Sequence, residues 1–358
     1  MKIVQIVPHY IPASYFGGTQ KVAHAIGRSL VKFGHDVTVC TTNLADNSQN
    51  LNIPIDTAID IEGVKVYYEP TYLLRYWGFS PQLAYRIDKE IACADIVFIH
   101  HQYQFANLIG PWLAQKAMRP YIMFAHGSLH INSVNSKSAL AKKLYLRFLA
   151  QNNLYKSLFI AFNAPEELDS SLYKKRGKII PSGIDPNEFD TMPNYGLFRS
   201  RYPELQSKVC LLFLGRIDVA QKGLDLLIPA FAKLYQDNRD IHLVLAGPNT
   251  GNGFQQINDL IIKLGIKQAV TFTGMLTGDD KLSALRDVDL FVLPSRYEGL
   301  SIALLEAMYS GLPVLITDRV GLCNEIESNY AGIKVSCNVE SIYSGLLQLT
   351  HVDLRDKM

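Results

Sequence analysis

Cysteine is scarce in this chain of 358 residues. The five cysteines, at positions 40, 93, 210, 323 and 337, are odd in number and include no Cys-x-x-Cys pair. Their spacing therefore indicates neither a disulfide framework nor a zinc site. We expect a reducing compartment and no bound metal.

Long apolar runs are also missing. The apolar opening after Met1 ends at Pro8, which makes it too short for the core of a signal peptide. No uncharged apolar run reaches about 18 residues, the length that a membrane-spanning helix needs. Both absences favour a cytoplasmic protein that does not span a membrane.

A large excess of charge of one sign is absent as well. Thirty-five Lys and Arg face 33 Asp and Glu, which gives a formal net charge of +2. A protein whose main affinity came from neutralising nucleic-acid phosphates would be more basic, so we expect no nucleic-acid partner. With 48% hydrophobic residues, 24 Gly and 16 Pro, the composition is that of an ordinary globular protein.

Apolar strands and amphipathic helices alternate along most of the chain. The first forty residues predict a strand at 2–7, a helix at 22–33 and a second strand at 36–40, which together form one strand–helix–strand unit. Further strands are predicted at 64–68, 96–100, 121–125, 158–162, 178–180, 209–214, 242–246, 270–273, 290–293 and 313–317. Further helices are predicted at 223–236, 254–264, 279–287 and 301–310.

This alternation predicts an α/β protein with two Rossmann-like domains whose strand ends face each other across a cleft. The first domain takes residues 1–185. Residues 186–207 are irregular and rich in proline, so we predict a linker there. The second domain takes residues 208–358.

Two cations stand where the first strand of the second domain ends. Gly215-Arg216 follows that strand directly, and Lys222-Gly223 comes where the next helix begins. Open parallel sheets bind ligands at the carboxyl ends of their strands, where Arg, Lys and helix N-terminal amides suit a diphosphate. A pair of surface cations on a loop is the alternative that the spacing leaves open.

Two carboxylates lie eight residues apart in a stretch that follows an apolar strand and opens a helix. If most of the interval from Glu298 to Glu306 is helical, they lie about 12 Å apart, too far to share a proton or to act on one glycosidic bond. The spacing suits two ends of one elongated ligand, with the amides of Gly299, Leu300 and Ser301 facing a phosphate. Glu306 would be costly if buried unpaired, which argues for a polar ligand or partner.

With these motifs the chain resembles the retaining glycosyltransferases of family 4, or glycosyl transferases group 1, which have the GT-B fold. The matching residues of the second half are Gly215-Arg216, Lys222-Gly223, Leu245-Ala246-Gly247-Pro248, Phe272-Thr273-Gly274, Glu298, Glu306 and Gly311-Leu312-Pro313-Val314. Those of the first half are Tyr10-Ile11-Pro12, Gly17-Gly18, Gly34-His35-Asp36-Val37, His126-Gly127 and Pro181-Ser182-Gly183-Ile184-Asp185. The resemblance makes 1–185 the acceptor-side domain and 208–358 the nucleotide-sugar-binding domain.

The resemblance also implies residue roles. The residues that match Arg216 and Lys222 hold the donor diphosphate, and the one that matches Glu306 binds the ribose hydroxyls. The residues that match Glu298 and His126 contact the transferred sugar, His126 from the opposite domain. The implied catalytic residues are His126, Glu298, Arg216 and Lys222. The implied donor-binding residues are Gly17, Gly18, Arg216, Lys222, Met275, Gly299, Leu300, Ser301 and Glu306.

The function implied by the resemblance is the retaining transfer of a hexose from a UDP- or GDP-sugar, with UDP favoured, to a glycan or lipid-linked acceptor in polysaccharide biosynthesis. Arg216 and Lys222 would supply the charge of a metal, and no cofactor is expected besides the donor substrate. A nucleotide-sugar epimerase and a sugar-binding protein without catalysis are the alternatives. A dehydrogenase is excluded because no Gly-x-Gly-x-x-Gly follows a strand.

Basic residues are concentrated in the first half of the chain. Residues 1–185 hold 19 Lys and Arg against 13 Asp and Glu, whereas the remainder holds 16 against 20. Lys137, Lys142, Lys143 and Arg147 recur at helical spacing beside leucines, as in a basic amphipathic helix on an anionic bilayer. We expect this peripheral membrane contact, with a solvated helix face as the alternative.

The end of the chain departs from the resemblance. Family members normally continue past the equivalent of Leu354 to Met358 into helices that return to the first domain. The resemblance therefore indicates a C-terminal end that is truncated.

Overall fold

The computed structural model describes residues 1–136, 138–249 and 251–350, which form two compact units divided after Gly183. Each unit has a central, mostly parallel sheet, which confirms the predicted α/β class. The predicted limit at Asp185 lies close to this division. The predicted truncation beyond Leu354 and the basic residue Lys137 both lie outside the described residues.

The first unit is built on eight strands. They are β1 Lys2–Ile6, β2 Asp36–Thr42, β3 Ala58–Ile61, β4 Val64–Glu69, β5 Ile96–His100, β6 Tyr121–Phe124, β7 Ile160–Phe162 and β8 Gly177–Ile179. Their order is β3-β4-β2-β1-β5-β6-β7-β8, and only the pair β3 and β4 is antiparallel among the described strands. The helices are α1 Thr19–Lys32, α2 Pro81–Ala92, α3 Phe105–Lys116, α4 Ile131–Val134, α5 Ala139–Leu144, α6 Gln151–Lys156 and α7 Pro165–Asp169.

The second unit is built on six parallel strands in the order β11-β10-β9-β12-β13-β14. They are β9 Val209–Leu214, β10 Ile241–Ala246, β11 Val270–Gly274, β12 Leu290–Leu293, β13 Val314–Thr317 and β14 Gly332–Val335. The helices are α8 Leu197–Arg201, α9 Val219–Lys222, α10 Leu224–Asp237, α11 Gly253–Lys263, α12 Gly278–Asp287, α13 Ile302–Tyr309, α14 Cys323–Ser328 and α15 Val339–Thr350. The strands are apolar runs because their side chains are buried on both faces of the sheet, as all four residues of β12 are.

The segment 186–207 was predicted to be a linker, and that prediction is wrong. Phe198 and Leu205 are fully buried in the core of the second unit. The Asp287 carboxylate at the end of α12 accepts hydrogen bonds from the backbone N–H groups of Gly196 and Phe198, each at 2.7 Å. Most residues of the segment are proline or polar. Its few buried apolar residues do not recur with the period of a helix or a strand, so the sequence gives no sign that they are buried.

Each sheet has one point at which successive strands stop being added on one side and continue on the other side. In the second unit the chain runs from β9 outward through β10 to β11, then returns to β12 and runs the other way to β14. Strands β9 and β12 are the neighbours at this point, and open parallel sheets bind ligands in a crevice at the carboxyl ends of such strands. The first unit has the same arrangement between β1 and β5.

The basic stretch after position 138 forms a continuous run of helix, in which a π-helical turn at Tyr145–Ala150 joins α5 to α6. Lys142 does not point to solvent as predicted. Its ammonium donates to the Ser133 carbonyl at 2.7 Å and to the Ser136 hydroxyl at 3.1 Å, and burial lowers its pKa. Lys142 is half-buried, and its ammonium is engaged by two oxygen atoms of the chain.

Gly247 allows the loops after β9 and β10 to touch. Its φ is +148°, and a Cβ here would lie 1.8 Å from the Gly215 carbonyl oxygen. We expect Gly247→Ala to lower the free energy of unfolding by at least about 2 kcal/mol, because both clashing partners are backbone. Gly251→Ala is the matched control, since its φ is +60° but its surroundings are open, so about 1 kcal/mol is expected. Urea unfolding measures both, and equal losses would contradict the argument.

Candidate functional site

In the second unit, Lys222 lies close to the loop after β12 because the next residue, Gly223, has no side chain. Asp218 caps the start of helix α9, where its carboxylate accepts from the Gln221 backbone N–H at 3.0 Å, and Gly223 follows the helix with φ +66°. A Cβ on Gly223 would lie 2.1 Å from the carbonyl oxygen of Pro294. The absence of a side chain at Gly223 therefore lets the loop after β9 pack directly on the loop after β12.

Lys222 and Glu298 form an ion pair beside β9 and β12, where the strand order reverses. The Lys222 Nζ lies 2.5 Å from the Glu298 Oε2, and the two side chains are only 9% and 16% exposed. The Ser295 hydroxyl lies 3.5 Å from the same carboxylate oxygen. In the free protein the buried ammonium is thus neutralised by a carboxylate of the chain itself, as the burial of a charge requires.

Glu298 is also held through its backbone. Its N–H donates to the Arg319 carbonyl at 3.1 Å, and its carbonyl accepts from the Gly321 N–H at 3.0 Å. These bonds join the loop after β12 to the loop after β13. The Glu298 carboxylate is therefore placed by three neighbouring loops rather than by its own segment alone.

Arg216 is the second cation of the crevice. It follows β9 after Gly215, is half-buried, and donates from Nη2 to the Gln221 side-chain oxygen at 3.1 Å. Gln221 and Lys222 are adjacent in α9, so the guanidinium and the ammonium are attached to one short segment. Two cations at the carboxyl end of one strand are chemically suited to a diphosphate.

Arg296 and Asp225 form an ion pair, called the clamp below, that the sequence did not predict. Two guanidinium nitrogens of Arg296 donate to the two carboxylate oxygens of Asp225 at 2.8 and 2.7 Å, which raises the pKa of Arg296. The Arg296 N–H also donates to the Gln221 carbonyl at 2.8 Å. The partners are 71 residues apart, so no local motif could indicate the pair. The clamp fixes the loop that carries Glu298 against the start of α10.

Glu306 is buried but has a protein partner. Its Oε1 lies 2.6 Å from the Nζ of Lys281 in α12. The side chains of Glu306 and Lys281 are 5% and 6% exposed. We predicted that a buried Glu306 would call for a polar ligand or partner, and the structure supplies Lys281. The burial of Glu306 is therefore explained within the chain and by itself indicates no ligand.

Glu298 lies outside the helix that carries Glu306. Helix α13 begins only at Ile302, and the Ser301 hydroxyl caps it by accepting from the Leu304 N–H at 3.4 Å. Only residues 302–306 of the interval are helical. The predicted donor-binding residues Gly299 and Leu300 lie in the loop before the helix.

The other predicted donor-binding residue of this unit is Met275. It follows β11, two strands away from β9, and its side chain is 46% exposed. The carbonyl of the preceding Gly274 accepts from the Gly247 N–H at 2.8 Å, which joins the loops after β10 and β11. Met275 therefore lies on the same carboxyl edge as Lys222, farther along the sheet.

The remaining predicted residues lie in the first unit. Gly17 has φ +99° and Gly18 immediately precedes α1, without a side chain to cap it. His126 follows β6 with φ +46°, in the left-handed region that residues other than glycine seldom adopt. The next residue, Gly127, donates its N–H to the buried Glu167 at 2.5 Å.

The His126 imidazole is neutral near pH 7. Desolvation is the main cause that lowers its pKa to about 3, and His101 contributes in the same direction. Its Nε2 lies 2.9 Å from the Nδ1 of His100. Within residues 1–136, 138–249 and 251–350, no three His, Cys, Asp or Glu side chains are grouped as a metal site would need.

Two family models match the chain, one in each half. Residues 16–188 match the model described as Glycosyltransferase Family 4, and residues 198–358 match the model described as Glycosyl transferases group 1. One similar relative is the uncharacterized glycosyltransferase MJ1607 of Methanocaldococcus jannaschii, 27% identical over 94% of this chain and 85% of its own. Mannosylfructose-phosphate synthase of Agrobacterium fabrum is 34% identical, but over only 44% of this chain and 36% of its own.

Solved structures share the fold over nearly the whole chain. Sucrose-phosphate synthase from Thermosynechococcus elongatus has a TM-score of 0.77 at 18% identity and covers 99% of this chain and 91% of its own. HepE from Anabaena, in complex with UDP and glucose, has a TM-score of 0.76 at 18% identity with the same coverage. WaaG, a glycosyltransferase involved in lipopolysaccharide biosynthesis, has a TM-score of 0.74 at 21% identity and covers 99% and 92%.

The ion pair of Lys222 and Glu298 yields a prediction about anion binding. We expect Glu298→Gln to strengthen the binding of inorganic pyrophosphate about tenfold at low salt, because the ammonium of Lys222 loses its counter-charge. Titration calorimetry measures the affinity. Glu340→Gln is the matched control, since it removes the partner of Lys233 from an exposed ion pair and should change the affinity less than about twofold. Unchanged or weaker binding in Glu298→Gln would show that the anion does not meet Lys222.

Proposed function

The chain is a glycosyltransferase with the GT-B fold, of the group 1 and family 4 type, and on this premise we propose that it transfers a hexose from a nucleoside diphosphate sugar. The proposed acceptor is a glycan or a lipid-linked molecule of polysaccharide biosynthesis. The observation that carries the proposal is the pair of Lys222 and Glu298, with Arg216 beside it, where the sheet of the second unit reverses direction. A cationic crevice of this kind suits a diphosphate that becomes a leaving group.

The proposed chemistry is mainly electrostatic. Arg216 and Lys222 bind the diphosphate and stabilise the charge that develops on it, each charged hydrogen bond contributing about 1.5 to 3 kcal/mol. The acceptor hydroxyl attacks the anomeric carbon on the face from which the diphosphate departs, and its proton goes to the departing phosphate oxygen. The configuration at the anomeric carbon is thereby retained without a covalent enzyme intermediate.

Binding of the donor changes the partner of Lys222. In the free protein its ammonium is paired with Glu298, so the diphosphate takes over the cation and releases the carboxylate. We propose that the released Glu298 then accepts hydrogen bonds from hydroxyls of the transferred sugar. We propose that Glu306 accepts from the ribose hydroxyls and that His126 hydrogen-bonds a sugar hydroxyl of the substrate.

UDP is the favoured nucleotide of the proposal. Among the fold neighbours, HepE was solved with UDP-glucose, and a trehalose-6-phosphate structure from E. coli carries UDP-2-fluoro glucose. The names of the relatives include a D-inositol 3-phosphate glycosyltransferase and an α-(1→4)-mannosyltransferase. Acceptors thus differ widely among similar proteins, so the proposal gives the acceptor only as a class.

A screen of UDP- and GDP-sugars for slow hydrolysis tests the proposed function. We expect one donor to release its sugar and nucleoside diphosphate, and we expect this turnover to persist in excess EDTA, because Arg216 and Lys222 supply the cationic charge. Lys222→Ala should reduce the rate at least about a hundredfold, or about 2.7 kcal/mol. Lys233→Ala, which removes an exposed lysine of the same unit, serves as the matched control.

Three results would contradict this proposal. Loss of all turnover in EDTA, with recovery on addition of manganese, would show that a metal supplies the charge. An unchanged rate in Lys222→Ala would remove the cation from the reaction. A product that is an epimerised sugar, with the diphosphate bond to the nucleotide intact or hydrolysed, would favour the epimerase instead.

We propose further that the helical run from α5 to α6 contacts an anionic membrane. The run carries five large apolar side chains that are between 49% and 75% exposed, Leu140, Leu144, Phe148, Leu149 and Tyr155. The exposed cations Lys143 and Arg147 flank them. Apolar side chains beside cations are the combination that binds an anionic bilayer surface. In the described part of the chain no helix is long and apolar enough to cross a bilayer.

Vesicle sedimentation at low salt tests the membrane contact. We expect more protein to sediment with anionic than with neutral vesicles, and Lys143→Glu with Arg147→Glu to abolish the difference, since each cation contributes about 1 kcal/mol. Lys263→Glu with Lys267→Glu, which makes the same charge change on exposed residues of the second unit, should sediment like the wild type. Equal sedimentation of the wild type with both vesicles would refute the contact.

A further inference from the structure

Three polar side chains of the first unit form a chain of hydrogen bonds near β1 and β5, where the strand order of its sheet reverses. Gln5 belongs to β1, His100 ends β5, and His126 follows β6, and these three strands are neighbours in the sheet. The Gln5 side-chain oxygen lies 2.8 Å from the Nε2 of His100. The Nδ1 of His100 lies 2.9 Å from the Nε2 of His126. Gln5 and His100 are fully buried.

The two rings are held in orientations that suit a hydrogen bond in their common plane. The planes of His100 and His126 differ by 14°, and the His100 ring stacks on Phe124 with centroids 4.6 Å apart. The backbone of His126 is fixed as well, because Gly127 donates to Glu167, which also accepts from the Asn163 N–H at 2.8 Å. His126 is thus positioned from both its ring and its backbone.

The hydrogen bonds determine which nitrogen of His126 carries its proton. Burial lowers the pKa of both histidines well below the ordinary value, so each ring is neutral and carries one N–H. The carbonyl oxygen of Gln5 can only accept, so the proton of His100 lies on Nε2 and its Nδ1 accepts. His126 must then donate from Nε2, which makes its own Nδ1 an acceptor.

We propose that Gln5 and His100 are positioning residues that hold His126 in its Nε2–H form, so that its Nδ1 accepts a hydrogen bond from a sugar hydroxyl of the substrate. The inference rests on the proposed role of His126 and assigns the direction of that hydrogen bond. His126 therefore binds a sugar hydroxyl as an acceptor and does not donate a proton to the leaving group.

Gly27 makes room for this arrangement. It lies within α1, where glycine costs about 1 kcal/mol relative to alanine, so a specific reason for it is expected. A Cβ on Gly27 would lie 2.7 Å from the Nε2 of Gln5. A side chain there would push the carboxamide of Gln5 away from its place beside His100.

Nitrogen NMR of the imidazoles tests the proposal without any substrate. The wild type should show His126 as the Nε2–H form, with its signals assigned by their loss in His126→Asn. His100→Phe keeps an aromatic ring on Phe124 but removes the acceptor, so His126 should become a mixture of both forms. His100→Asn keeps an acceptor near the position of Nδ1, so the Nε2–H form should return. His242→Phe removes a buried histidine of the other unit and is the matched control.

Kinetics then separate a positioning role from a structural one. We expect His100→Phe to lower kcat at least about tenfold while the affinity for UDP stays within about twofold. His100→Asn should recover most of kcat, and His242→Phe should keep the wild-type value. Thermal unfolding of each variant verifies that it is folded, and Gly27→Ala should reproduce the His100→Phe spectrum without any change to a histidine.

Two results would overturn the inference. An Nδ1–H form of His126 in the wild type would show that Gln5 presents its amide nitrogen to His100 and that both hydrogen bonds of the chain run in the opposite direction. A His126 spectrum and a kcat that are both unchanged in His100→Phe would show that His100 does not act on His126. If the wild type turns over no nucleotide sugar but shows the Nε2–H form, the proposed function fails and the tautomer assignment stands.

Discussion

The arrangement of the second unit depends on the contact between Gly223 and the carbonyl of Pro294. Because no side chain stands at Gly223, the segment after β9 lies directly on the loop after β12. Lys222 then reaches Glu298, and the backbone of Arg296 reaches the Gln221 carbonyl. A single Cβ at Gly223 would separate the segments that carry the two cations and the carboxylate, so the site exists only as long as this backbone contact is kept.

The charges of the site follow from their burial. Three cations of this unit are matched by carboxylates within the chain, since an unpaired ion away from water is costly. Lys222 is matched by Glu298, Arg296 by Asp225 and Lys281 by Glu306. Under the proposed function, a donor would exchange partners with Lys222 and Glu298 instead of meeting a bare charge. Such an exchange keeps the free protein stable and leaves the cations available to a competing anion.

The predictions from sequence succeeded where structure is local. Strands of apolar residues and helices with a regular buried face were predicted close to their observed bounds, because their periodicity is visible within a few residues. The segment 186–207 was mistaken for a linker because Phe198 and Leu205 are buried by contacts from outside the segment. The helix α14, the strand β14 that follows it and the helix α15 were not predicted at all.

The sequence by itself determined the fold class, the motifs at the strand ends and the family, all of which depend on short stretches of chain. The tertiary structure decided which side chains pair. Lys222 and Glu298 are 76 residues apart, Lys281 and Glu306 are 25 apart, and His100 and His126 are 26 apart. Ion pairs and hydrogen bonds form over about 3 Å between segments that only the sheet order brings together, so no local pattern encodes them.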